Sequence, residues 1–319
     1  MGNSSTKLKQ INKSDTNNNN NDINILSPKS IDRRTKYSMN KLRLPKRIIL
    51  VRHGESLGNV DELAYCSMPD WKIPLTEKGK EQASNVGKKI KEIIGNNSPI
   101  SVYLSPYIRT KQTFALMIKE LSNNNVITVR EEPRLTEQQF GNFQKAEDMI
   151  RYKKERGQFG RFYYRFPDGE SGLDVYSRVS SFIGTLFREW AKEQSTRSNH
   201  EDNNIIIVTH GLTLRLFLMR WFQFSVSEFE NTRNPNNGDI IVMNRIKFDV
   251  NMNETLSDQS CIDTLLYSDH FILDNYVYEK LNIKHKTIVP LERSIVINDI
   301  ERIVSEAEKG YEIASDINS

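Results

Sequence analysis

The sequence predicts an α/β fold: a three-layer α/β/α arrangement around a mostly parallel central sheet. Three observations carry this expectation. Five apolar runs of strand length recur, at 48–51 (IILV), 100–104 (ISVYL), 126–129 (VITV), 205–208 (IIIV) and 240–243 (IIVM). Three of them show no polar alternation, as strands buried on both faces of a parallel sheet require. Helix-like stretches separate them, and strand alternating with helix is the pattern of crossover connections.

Each element has its own local signal. The first run is uniformly apolar and stops at Arg52-His53-Gly54. A helix follows over 77–94, where Ala83, Val86, Ile90 and Ile93 make an apolar stripe and Thr76 stands at the N-cap position. The run 100–104 leads into Ser105-Pro106 and then Arg109, and the stretch 107–121 repeats the helical logic. After 126–129 comes a loop carrying Glu137. Residues 172–193 set Val175, Val179, Phe182, Leu186 and Trp190 on one face, behind a Ser171-x-x-Asp174 capping signature. The run 205–208 ends in Thr209-His210-Gly211, and the following helix, 212–222, is apolar nearly all round, which predicts burial.

The chain of 319 residues is long enough for one sizeable core or at most two. Its charge is unevenly spread. Residues 1–47 hold 11 basic against 3 acidic residues, 48–248 hold 28 against 24, and 249–319 hold 6 against 14. The nearly balanced middle is therefore the expected folded domain, 46–248. Residues 1–45, rich in Asn and Lys, are too polar to offset ordering entropy and read as a disordered basic leader. Residues 249–319 read as an acidic C-terminal extension of unknown role. No apolar run approaches the roughly 20 residues a membrane-spanning helix needs, and no apolar signal segment opens the chain. The two cysteines, Cys66 and Cys261, are too few for a disulfide framework and suit a cytoplasmic protein. The opening MGNSST matches an N-myristoylation pattern through Gly2 and Thr6, and Lys7, Lys9 and Lys13 add attraction to an anionic membrane surface.

Chemistry converges at the strand ends. Ligands of open α/β sheets sit beyond the carboxyl ends of the strands, and there the sequence delivers Arg52-His53-Gly54, Ser105 with Arg109, and Thr209-His210-Gly211. Two of five histidines thus occupy the same setting, with two arginines beside them. An Arg next to a His makes poor core material unless an anion completes it. The set suits phosphoryl transfer through a phosphohistidine: a neutral imidazole is the nucleophile, and neighbouring cations favour that neutral form. Arg52 and Arg109 offer bidentate donors to the phosphoryl oxygens, His210 and Asn59 offer further donors, and Gly54 is expected to let backbone approach the phosphate. Glu137 is placed to protonate the leaving alcohol, a phosphate nearby favouring its protonated form. No ligand spacing calls for a metal, and no cofactor is implied.

Six segments, LVRHGESLGN, LTEKGKEQA, SPYIRTKQT, RLTEQQFGNFQ, FPDGES and VTHG, resemble in identity and order the motifs of the histidine phosphatase superfamily, which includes cofactor-dependent phosphoglycerate mutases. The resemblance spans about residues 47–245. It implies that His53 is the nucleophile, that Arg52, Arg109 and His210 bind the phosphoryl group, that Glu137 is the acid, and that Asn59 is an additional phosphate contact. Two departures from the mutases favour a phosphatase. Glu137 and Gly169 lie only 32 positions apart, too few for the mutases' long insertion, and LTEQQFG replaces their LNERHYG. The stretch GRFYYRFPDGESGLDVYSR resembles the phosphoglycerate mutase-like phosphatases of plants and fungi. A basic, aromatic segment, 145–165, offers Arg151, Arg161 and Arg165 as a lid over the substrate.

The expectation is a metal-independent phosphomonoesterase acting on a phosphorylated small molecule or phosphoprotein, with no nucleic-acid role. Phosphoglycerate mutase or bisphosphatase activity is the alternative within the fold. A membrane-tethered scaffold that binds phosphate without turnover is the alternative outside enzymology.

Overall fold

Strands Arg47–Arg52 (β1), Ile100–Leu104 (β2), Val126–Glu131 (β3), Asn204–Thr209 (β4), Ile240–Arg245 (β5) and Phe271–Leu273 (β6) form one sheet in the order β3-β2-β4-β1-β5-β6. The structure, a computed structural model, describes residues 44–61, 63–121, 126–142, 145–193, 203–245, 271–283 and 305. These all belong to the compact unit Leu42–Ser319. Gly2 and the leader up to residue 43 lie outside the described residues, so the lipidation expectation has no structural counterpart, while Leu44, at the leader's end, is buried in the larger core. Among the described residues, no helix is long and apolar enough to cross a membrane.

Strands β3, β2, β4 and β1 run parallel; β5 is antiparallel to β1, and β6 to β5. Alternate residues of each inner strand enter opposite cores. Ile48 and Leu50 of β1 join one, with the helices Gly172–Glu193 and Gly211–Phe222, while Ile49 and Val51 join the other, with the helices Glu77–Ile94 and Ile108–Glu120. Burial on both faces is why these runs show no alternation. The β3 strand differs. Its Ile127 and Val129 are exposed, because it forms the sheet edge.

Capping follows the sequence closely. Thr76 accepts a hydrogen bond from the Gly79 amide at 3.1 Å. Ser171 Oγ accepts from Asp174 N at 3.3 Å, while Asp174 Oδ2 accepts from Ser171 N at 2.7 Å. The helix Gly211–Phe222 is buried at ten of its twelve positions, as its all-round apolarity requires.

The boundary at 248 is one of composition, not of packing. Strand β6 and the helix Asn275–Leu281 put Phe271, Leu273, Val277 and Leu281 into the larger core. The acidic extension therefore completes the sheet.

Register then assembles the strand ends. Arg52 pairs with Thr209, and Leu104 with Val208. His53 N donates to Thr209 O at 3.0 Å, and Ser105 N to Val208 O at 3.0 Å. Because β4 lies between β1 and β2, residues 53, 210 and 105 stand side by side at the carboxyl edge, where the chain reverses its winding direction.

Candidate active site

His53 is 3% exposed, and its Nδ1 lies 2.7 Å from Gly54 O. A carbonyl can only accept, so Nδ1 carries the proton and Nε2 keeps its lone pair. Burial, then the charges of Arg109 and Arg52, hold its pKa well below the usual imidazole value. The ring is thus a neutral base with one free nitrogen.

His210 is fully buried, its ring centroid 5.1 Å from that of His53. Its Nε2 lies 2.8 Å from Ser105 Oγ. Its Nδ1 is buried and has no partner. Burial lowers this imidazole's pKa too, followed by Arg109 and His53. Arg109, in the first turn of Ile108–Glu120, is 2% exposed. Its Nη1 donates to Asp70 O and Asp70 Oδ1, both at 2.8 Å, while Nε is buried without a partner. Arg52 Nη1 donates to Pro235 O at 2.5 Å, and its Nε is likewise buried and unpartnered. Two guanidinium N–H donors and one imidazole nitrogen are therefore left without a partner around the same histidines.

Glu137 reaches this cluster by capping the helix Gly211–Phe222. Its Oε2 accepts from Leu212 N and its Oε1 from Thr213 N, both at 3.3 Å. The loop that carries it is tied at several points. Thr209 Oγ1 donates to Leu135 O and Thr213 Oγ1 to Thr136 O, each at 2.7 Å. Arg178 donates to Arg134 O at 2.7 Å and to Glu137 O at 3.1 Å, and grips Glu170 at 3.0 Å. Glu170 in turn accepts from Gln139 N at 3.1 Å. The FPDGES segment thus braces the acid loop.

Asn59 is exposed at the rim, with Oδ1 accepting from Ser56 N at 3.0 Å and from Asn237 Nδ2 at 2.9 Å. Its amide nitrogen is the group left for a ligand. A Cβ at Gly54 would lie 2.2 Å from Gly79 O, so glycine there lets the strand end pack closely against the helix Glu77–Ile94.

The three lid arginines separate. Arg151 pairs with Asp148 at 2.8 Å, and Arg165 with Asp174 at 2.7 Å, both on the exposed surface. These two are engaged locally rather than over the site. Arg161 lines a hollow of about 460 Å³ with Arg215, Glu230, Thr232, Arg233 and Asn234. Within the same basic segment, Arg156, on the helix Ala146–Phe159, faces the loop that carries Glu137. It lies 5.3 Å from the Phe166 ring and donates to Gln138 Oε1 at 3.3 Å. Sequence reasoning also missed Asp70, Tyr65 and Tyr107. The Tyr107 ring stacks edge-on to His210 at 5.1 Å and sits 4.8 Å from the Arg109 guanidinium carbon. Burial pushes the Tyr65 hydroxyl up to about 12. Tyr107 lies inside a recognised motif; Asp70 has no sequence signal of its own.

Residues 48–252 match the family model of the histidine phosphatase superfamily, branch 1. The chain belongs to this superfamily. A phosphoglycerate mutase-like protein of Arabidopsis thaliana, AT74H, is 48% identical over 211 residues, covering 64% of this chain and 75% of the relative. The broad-range acid phosphatase DET1 of Saccharomyces cerevisiae is 28% identical over 287 aligned positions, covering 62% of this chain and 85% of the relative. Among solved structures, mycobacterial hydrolase 1 superposes with a TM-score of 0.51 at 19% identity, over 72% of this chain and 97% of that one. That likeness concerns the fold.

Proposed function

We propose that this histidine phosphatase hydrolyses phosphomonoesters through a phosphohistidine on His53, without a metal ion. One observation carries the reading: Arg52 Nε and Arg109 Nε are buried donors with no acceptor, and with the unpartnered His210 Nδ1 they are gathered around a neutral nucleophile. An unpaired buried donor is costly, on the order of 1–3 kcal/mol each. A phosphoryl group with three peripheral oxygens supplies the missing acceptors. In the first step the Nε2 lone pair of His53 forms the N–P bond as the P–O bond to the alcohol breaks. Glu137, entering protonated, gives its proton to the departing oxygen. In the second step Glu137 takes a proton from water, whose oxygen attacks phosphorus, and the N–P bond breaks to return the lone pair to Nε2. The positive charge comes from Arg52 and Arg109, which is why the reading needs no metal.

His53→Ala should abolish turnover of an aryl phosphate while leaving the fold intact, and acid-labile phosphate should be trapped on the parent protein only. Undiminished turnover in the variant, or turnover of the parent that a chelator stops, would sink the reading.

A further inference from the structure

We infer that Asp70 sets how tightly this site holds phosphate: its carboxylate neutralises Arg109 in the empty site and opposes the incoming anion. The inference rests on the phosphatase reading and adds to it a residue that governs affinity for the phosphoryl group and its release.

A guanidinium with 2% exposure needs compensation, because a buried unpaired charge is among the most costly features a fold can carry. Among the described residues, Asp70 is the carboxylate within ion-pair distance of Arg109, at 2.8 Å. The contact is one-sided. Asp70 engages Nη1 alone, through its backbone oxygen and Oδ1, and leaves Nε unpartnered. Asp70 Oδ2 is also buried and receives no donor. A second carboxylate therefore stands at the phosphate seat with half its accepting capacity unmet.

Glu137 is built differently. Both its oxygens accept from backbone amides at the start of a helix, so it has compensation independent of the arginines. Both imidazoles are neutral, so Arg52 and Arg109 carry the positive charge of the empty site, and Asp70 offsets part of it. A bound dianion must share Arg109 with Asp70 and tolerate its charge. The consequence suits turnover, since a seat with two uncompensated arginines would retain inorganic phosphate. Anion binding also favours proton uptake at Asp70. Burial already raises its pKa against the pull of Arg109, and phosphate adds like charge. The groups facing it are Arg109 and Tyr107 at the start of Ile108–Glu120, Tyr65 on Ala64–Ser67, and Glu137 on the acid loop.

Asp70→Asn separates charge from position, because Asn Oδ1 and the backbone oxygen still accept from Nη1. Calorimetry with sulfate and with inorganic phosphate should show binding about tenfold tighter in the variant than in the parent. Sulfate remains a dianion from mildly acidic to neutral pH. Its affinity should strengthen in the parent as pH falls, and that pH dependence should be shallower in Asp70→Asn. Equal or weaker sulfate binding by the folded variant overturns the inference, and so does parental affinity that is flat toward acid. Where Asp70→Asn does not fold, Asp70→Ser, which removes the same charge, decides the matter by the same two readouts. A parent that binds sulfate but turns over no aryl phosphate fails the phosphatase reading alone, whereas a parent that binds neither anion fails both.

Discussion

His53 is held as a neutral imidazole by its surroundings more than by any one partner. The Gly54 carbonyl fixes the tautomer, and burial with two nearby guanidinium groups keeps the ring neutral. The same physics has a cost for stability. His53 and His210 bind protons less readily folded than unfolded, where the reference pKa is 6.5. Their folded pKa values are lowered, so their contribution is complete above the unfolded value and is lost as pH falls below it. The loss should grow as pH falls below that reference, by at most about 1.4 kcal/mol per pH unit and group. Thermal unfolding between pH 7 and about pH 5 should show that loss, and His210→Gln should halve it. An unchanged slope in that variant would mean that His210 charges freely in the folded protein. Both histidines and both arginines were legible in the sequence because each follows a buried strand or opens the next helix. Asp70 was not, because its meaning depends on meeting Arg109 across 39 positions.

Elements translate these residues into geometry. The strands and the long helices were readable because periodicity and caps are local properties, and Glu77–Ile94 and Gly172–Glu193 span the stretches those signals mark. What a loop is tied to is not a local property. The acid loop is held from the helix Gly172–Glu193 by Arg178, which bridges Arg134 O, Glu137 O and the Glu170 carboxylate. Arg178→Gln cannot span all three, so the Glu137 carboxyl should lose its fixed relation to the leaving oxygen. Turnover should fall on the order of 10- to 100-fold with KM little changed, since misplacement by about 1 Å already costs that much. The loss should be larger for alkyl than for nitrophenyl phosphates, because a nitrophenolate departs without much help from an acid. Equal losses on both substrates would show that Arg178 serves the fold and not proton delivery.

At the scale of the whole molecule, the acidic extension returns to support the site from the far edge of the sheet. Its segment 271–283 pairs β6 with β5, and it holds the loop that contacts Arg52 and His53. Leu281 O accepts from Arg233 N at 2.8 Å, Asn282 Nδ2 donates to Asn231 O at 2.8 Å, and Lys280 pairs with Asp239 at 2.5 Å. Between those anchors lie Pro235, whose carbonyl takes Arg52, and Asn237, which bonds His53 O at 3.3 Å. Charge counting hid this role, because an acidic composition says nothing about a short run such as Phe271-Ile272-Leu273 packing against Trp221. Leu281 is fully buried. Leu281→Ala should cost about 2–5 kcal/mol from the lost apolar contacts and the cavity left behind. Because the same segment fixes the Arg52 loop, the variant should also bind phosphate more weakly below its melting temperature, which calorimetry on the folded protein can measure. Lowered stability with parental phosphate affinity would confine the extension to a packing role, and an unchanged melting temperature would remove even that.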